Sequence, residues 1–201
     1  EGRLALFIVN SVQNGVTKKW QPTLDQTRKQ ARVVLKDVKV SSDYFLGEIE
    51  NSAVLLDVIL DLAAIGIAAD QLGGAQKALD LAVDFSLDRA QFGRQIGSFQ
   101  AIKHKAADMM LKVESARSAL YYAACIADQV FKKETSYDQL KEAASIAKAY
   151  CSDAYFFVTG SAIQIHGGVG FTEEYDIQLY FKRAKSTETF LGNATWHRDR
   201  L

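Results

Sequence analysis

Pro22 is the only proline in 201 residues, so nothing from Thr23 to Leu201 imposes the lost donor and ring clash that break a helix. That freedom matters because the apolar period changes at about Asn51. Before it, LALFIVN, VTKKWQPTL and QARVVLKDVKV are short β-branched runs separated by Asn-Gly, by Pro22 and by Asp-containing breaks, which is strand and turn patterning. After it the apolar residues recur with the helical period of 3.6. The fold class expected is therefore an α+β fragment, mainly α: residues 1–46 as the end of a β domain, residues 47–201 as an antiparallel bundle of four or five helices. Three strands make a poor core alone, so the first segment reads as the remainder of a larger β unit.

The first helix is expected from about Asn51 to Leu87, its middle nearly all Ala, Gly and aliphatic residues, so that a neighbouring backbone or a ligand can approach it closely. Within it Ala53–Ala69 is the most apolar stretch of the chain. Asp57 and Asp61 interrupt that stretch and would be costly in a bilayer, so it is expected to be a heavily buried helix and not a membrane span. A second helix, Ser98 to about Val130, stripes Phe99, Ile102, Ala106, Met109, Val113, Ala116, Leu120 and Ala123. A third begins at Ser136, with Gln139 at capping-box spacing, and stripes Leu140, Ala144, Ala147, Cys151, Ala154 and Val158 before Gly167 and Gly168 end it. Helices over Glu173–Ala184 and Ser186–Leu201 complete the expected bundle.

With 24 basic and 24 acidic residues the chain has no net charge, which leaves no electrostatic footprint for nucleic acid. Cys125 and Cys151 stand apart from any metal-ligand or C-x-x-C spacing, so no disulfide framework and no metal site are expected, and a cytoplasmic location is the default expectation. Three scattered histidines support neither a metal site nor a His-based triad.

Three local patterns exceed what packing requires. DRAQFGRQIGSFQ, residues 88–100, gathers Arg89, Arg94, two aromatics, Gly93 and Gly97 at a turn. Its guanidinium groups can clamp a phosphate, with the glycines admitting a close backbone; a solvated surface turn is the plain alternative. QIHGGVGFTEEY, residues 164–175, ends a helix with Gln164 and His166 and then offers glycine-flanked amides that suit a phosphate or ribose, or form a simple helix stop. FKRAKSTETFLGNATWHRDRL is basic and aromatic, with Glu188 the only carboxylate between Arg183 and Asp199, and reads otherwise as an amphipathic terminal helix.

In this order and spacing the three patterns resemble the acyl-CoA dehydrogenase family over about Val16–Leu201, R-x-x-F-G-x-x-I-x-x-F-Q and Q-I-H-G-G-x-G-F-T-E-E-Y being its two most specific signatures. The resemblance implies FAD lying across a subunit interface and α,β-dehydrogenation of an acyl-CoA thioester, in a homo- or hetero-oligomer that passes electrons to a transferring flavoprotein. It places Arg89, assisted around Gln91, Phe92 and Gln100, on the pyrophosphate of a neighbouring subunit's flavin. Gln164, Ile165, His166, Gly167 and Gly168 match contacts to the adenosine half of that flavin, while Asn193 and Thr195 match positions near the dinucleotide of their own subunit.

The reaction needs a carboxylate base for the α-proton. In most members it is the glutamate of Tyr-Glu-Gly-Thr; the matching residues here are Phe190, Leu191, Gly192 and Asn193. In others it stands on the first bundle helix, 26 residues before the arginine, where this chain has Ala63. No catalytic residue is therefore assigned. Glu188, one helical turn before Leu191, is a substitute candidate; alternatively the chain is the base-less subunit of a heteromeric dehydrogenase, the favoured expectation, or a scaffold that uses the same helical surfaces. The family's N-terminal helical domain and early strands, which wall the acyl-CoA site, are not among these residues, so the fragment alone is expected to be inactive.

Overall fold

The computed structural model describes residues 4–201 and divides into two compact units, residues 1–60 and 61–201. In the first unit the expected strands are present but short. β1 (Leu6–Phe7) pairs antiparallel with β4 (Phe45–Leu46), and β2 (Val16–Gln21) pairs antiparallel with β3 (Gln30–Leu35), Val16 opposite Leu35 and Gln21 opposite Gln30. β2 stops at the residue before Pro22, which has no amide to donate to a ladder. Trp20, Val33, Val34 and Leu35 of this ladder are exposed, as a two-stranded sheet with no covering layer must leave them.

The helical unit is built on α1 (Ser52–Asp88), α2 (Gln100–Phe131), α3 (Tyr137–His166), α4 (Ile177–Thr189) and α5 (Ala194–Asp199). Contacts along their lengths give the directions. Gln71 meets Ser152 and Phe85 meets His166, so α1 and α3 run parallel. Arg117 reaches Gln76 while Gly97 lies against Ser86, so α2 runs against α1; Phe181 meets Phe156 while Thr187 shares Gln71 with Ser152, so α4 runs against α3. The result is the up-down-up-down bundle expected from the sequence.

α3 is the central helix. Its stripe residues Leu140, Ala144, Ala147, Cys151, Ala154 and Val158 are all buried, and so are Ser145, Lys148, Ser152, Tyr155 and Thr159 on its other faces. α1 meets it with small residues, Ala64, Ala68, Ala75, Ala78 and Ala82. The two helices approach closely at Gly74, where an added Cβ would lie 2.4 Å from the Tyr155 ring and hydroxyl.

Three local expectations need correction. Between residues 53 and 69 α1 is not heavily buried: Ala53, Val54, Ile59, Leu60, Ala63, Gly66 and Ala69 are exposed, and Asp61, Ala64, Ile65 and Ala68 are buried. A uniformly apolar helix gives no sign of which side its neighbours take, so apolarity there did not translate into burial. By length and composition alone α1 could cross a membrane, but its buried Asp61 is paired with Arg200 of the C-terminal segment. The capping box is absent: the Ser136 side chain makes no cap bond, and Gln139 instead takes the Thr135 hydroxyl. The last two helices break at residues 190–193 and not near 185, because Leu191 and Gly192 both adopt positive φ (55° and 99°) and Asn193 restarts the helix by accepting from the Trp196 amide at 2.8 Å.

Candidate functional site

One cluster forms where α1 and α3 both end. The chain leaves α1 through a tight hairpin of β5 (Ala90–Gln91) and β6 (Arg94–Gln95), whose two turn residues, Phe92 and Gly93, both have positive φ (55° and 79°), as a two-residue hairpin turn with the right twist requires. Arg89, Gln91, Phe92 and Gln100 are all exposed, Phe92 to 92%. Arg94 is spent locally: its guanidinium lies 4.1 Å from the centre of the Phe99 ring. Gly97 has a packing role and not the ligand-facing one expected of it, since a Cβ there would be 2.9 Å from the Ser86 carbonyl oxygen of α1.

The glycine-rich pattern stands beside this hairpin because His166 at the end of α3 stacks on Phe85 near the end of α1, 4.3 Å between ring centres, with Tyr175 edge-on to both. His166 Nδ1 lies 2.7 Å from the Ala162 carbonyl, so that nitrogen carries the proton and donates. His166 and Ile165 are buried packing residues, so their side chains face the bundle and not a ligand. Gln164, Gly167 and Gly168 are exposed, and there is open space where a Cβ would stand on either glycine. Arg89 and the exposed glycines 167 and 168 thus belong to one end of the bundle, where a guanidinium stands beside backbone that a ligand can approach closely, while the Gly167 amide itself is spent on the Ile163 carbonyl.

The second cluster is the turn at residues 190–193. Phe190 and Leu191 are half-buried, and Asn193 and Thr195 are exposed. Lys148, fully buried at mid-α3, donates to Ser152 Oγ at 3.1 Å, to the Glu188 carbonyl at 3.2 Å and to the Gly192 carbonyl at 3.0 Å. Burial pushes its ammonium down to about 8, against the opposing pull of Glu188. His197, also fully buried, donates from Nε2 to the Leu191 carbonyl at 2.9 Å, which leaves Nδ1 facing the Ser145 hydroxyl at 3.4 Å. Burial, reinforced by the Lys148 charge, brings His197 down to about 4 even though the Leu191 carbonyl favours the proton.

Of the residues considered for the base, Leu191 has no proton-accepting group and Ala63 lies exposed on α1. Glu188 is half-buried and its carboxylate is engaged by Lys185 at 2.8 Å. The sequence reading missed Lys148 and His197. The available signal for Lys148 was a lysine inside the alanine-rich stripe Ala143–Cys151, with no polar face for it to snorkel toward.

The two clusters are far apart. At a rise of 1.5 Å per residue, the 18 residues of α3 from Lys148 to His166 set them about 27 Å apart along the helix axis. Among the described residues no group of His, Cys, Asp and Glu side chains could hold a metal ion.

A bundle of this topology, with an exposed arginine and glycines at one end and a separately anchored turn before its last helix, defines the class as an antiparallel helical-bundle domain. Residues 54–201 match the family model described as acyl-CoA dehydrogenase, C-terminal domain, and the chain belongs to the acyl-CoA dehydrogenase family. It is 41% identical over 172 residues to acyl-CoA dehydrogenase IpdE2 of Mycolicibacterium smegmatis, covering 86% of this chain and 48% of that protein. Among solved structures it superposes on butyryl-CoA dehydrogenase from Megasphaera elsdenii with a TM-score of 0.89 at 34% identity, covering 97% of this chain and 50% of that one. It also superposes on a chain of the ChsE4-ChsE5 complex from Mycobacterium tuberculosis with a TM-score of 0.84 at 28% identity, covering 98% and 50%. The chain therefore spans about half the length of the relatives it matches.

Proposed function

We propose that this chain is the flavin-holding part of an acyl-CoA dehydrogenase subunit that takes part in α,β-dehydrogenation of an acyl-CoA thioester, in an assembly whose proton-accepting carboxylate stands on a different chain. The observation that carries this reading is the turn at residues 190–193. Its backbone is anchored by two buried side chains, yet the residue it presents is Leu191, and neither Ala63 nor the Lys185-engaged Glu188 offers a free carboxylate in its place.

FAD, when bound, supplies the acceptor for the hydride that leaves the β-carbon. The residues present fit that group. Arg89 would hold the pyrophosphate by charge-assisted hydrogen bonds, the side-chain-free backbone at Gly167 and Gly168 would admit the adenosine side beside Gln164, and Gln91, Phe92 and Gln100 would border the same end. Asn193 and Thr195, about 27 Å away along α3, would serve the cofactor of their own subunit, so each complete site needs two chains. Electrons would leave through a transferring flavoprotein.

The test uses the protein in its native assembly. The reading expects bound flavin visible by absorbance, no acyl-CoA turnover by this chain with itself, and turnover once a glutamate-bearing chain of the same family is paired with it. Turnover by this chain alone that disappears in Glu188→Gln would replace the partner's carboxylate with Glu188. Colourless protein that takes up no FAD in any assembly state would point instead to a scaffold.

A further inference from the structure

The turn at residues 190–193 is held from beneath by two hydrogen-bonded chains that start on α1 and cross α3. In the first, Asp61 accepts from Arg200 at 2.7 Å, Arg200 also donates to the Ser145 hydroxyl at 3.3 Å, and Ser145 faces His197, which donates to the Leu191 carbonyl. In the second, the Gln71 amide exchanges bonds with Ser152 at 3.0 and 3.2 Å and reaches Thr187 at 3.3 Å, and Ser152 accepts from Lys148, which donates to the Gly192 and Glu188 carbonyls. Every anchor ends on a backbone oxygen.

Packing does not account for this arrangement. An apolar side chain would fill the middle of α3 without burying an ammonium, and a leucine at φ 55° persists only where its surroundings fix the backbone. Gly192, at φ 99°, lies so close to Trp196 that a Cβ would come within 2.3 Å of the indole. Lys148, His197 and Trp196 thus all bear on the backbone of this one turn.

We propose that Lys148 and His197 are positioning residues that fix the turn at 190–193 through the carbonyls of Gly192 and Leu191, so that the place of residue 191 and of the Asn193 side chain is set independently of which side chain stands at 191. This explains how the position can carry leucine without loss of its backbone frame. That the turn faces flavin and acyl chain rests on the proposed function; that these two side chains set its conformation does not.

The experiment is amide hydrogen exchange on the protein in its native assembly, comparing residues 189–197 with the α2 core at 109–127. Lys148→Met and His197→Leu are expected to speed exchange in 189–197 by about tenfold with 109–127 unchanged, while Lys148→Arg and His197→Gln, which keep a donor, restore slow exchange. Leu191→Glu is expected to leave 189–197 within about twofold of the unmutated chain, because the anchors are backbone atoms. If Lys148→Met does not fold, His197→Leu and Ser145→Ala carry the same test from the other chain of bonds. Unchanged exchange in 189–197 in the Met and Leu variants, or acceleration spread equally over 109–127, overturns the assignment. Flavin absorbance measured on the same samples separates the two ideas: a colourless protein whose turn still loosens in Lys148→Met removes the flavin reading and keeps the positioning role.

Discussion

The buried Lys148 makes a quantitative prediction about alkaline stability. In the folded chain burial holds it at about 8 against an ordinary value of 10.5, so between those pH values the unfolded chain binds a proton that the folded chain does not. Stability must then rise with pH across that window, and below pH 8 the folded state carries the whole penalty, which at 1.36 kcal/mol per unit is about 3 kcal/mol. Cys151, one helical turn away, works in the opposite direction. Burial pushes its thiol from 9.0 up to about 12, with Lys148 opposing, so the unfolded chain gives up this proton first and stability falls by about 4 kcal/mol as pH climbs from 9 to 12. The two slopes nearly cancel between pH 9 and 10.5, and above 10.5 the Cys151 loss stands alone. The Lys148 contribution is therefore isolated in a Cys151→Ala background, by urea unfolding followed by far-ultraviolet circular dichroism. From below pH 8 to above pH 10.5, the Cys151→Ala protein is expected to gain about 3 kcal/mol over Cys151→Ala with Lys148→Met, surface groups cancelling in the comparison. Parallel pH profiles for the two proteins would refute the reasoning, since they would mean that Lys148 is solvated in the folded state.

The acid side is governed by His197, whose folded value of about 4 lies below its ordinary 6.5: its contribution is fully present above 6.5 and is lost as pH falls toward 4, about 3 kcal/mol in all, and His197→Gln should flatten that part of the unfolding profile relative to the unmutated chain. Gly74→Ala places a Cβ 2.4 Å from the Tyr155 ring in a packed interior, and should cost about 1–3 kcal/mol of overpacking, read as a lower denaturation midpoint with an unchanged slope.

Elements with strong amphipathic spacing were legible in the sequence. The α2 stripe is buried from Met109 through Val113, Ala116 and Leu120 to Ala123, with its first members Phe99, Ile102 and Ala106 half-buried, and the α3 stripe is buried throughout. Where the pattern was uniform or local the reading was weaker. α1 between 53 and 69 is apolar on every side, so composition could not say which side the bundle covers. The break at 190–193 depends on Leu191 in a left-handed conformation, which no leucine advertises, and on tertiary anchors from Lys148 and His197 that lie 40 or more positions away or on the far side of the turn. At the candidate site, the hairpin at Arg89 and the glycines at 167 and 168 were recognisable from their residues, and the Phe85–His166 stack supplies the contact that brings them to one end. Gly97 and His166 were read as ligand-facing, whereas they face Ser86 and Phe85, because a residue type that suits a ligand also suits a close internal contact.

The central claim is that the end carrying Arg89, Gly167 and Gly168 serves the cofactor of one subunit while the turn carrying Asn193 serves that of another. Mixed assemblies test it directly: Arg89→Ala and Asn193→Leu proteins, each unable to hold flavin alone, are co-assembled and their bound flavin is measured by absorbance. Sites shared between chains predict that each mixed pair regains about half the flavin of an unmutated pair, one of its two sites having both halves intact, so that a statistical mixture of the two proteins regains about a quarter. No recovery of flavin in a verified mixed assembly would contradict the account, because it would mean that every chain builds its site from its own residues.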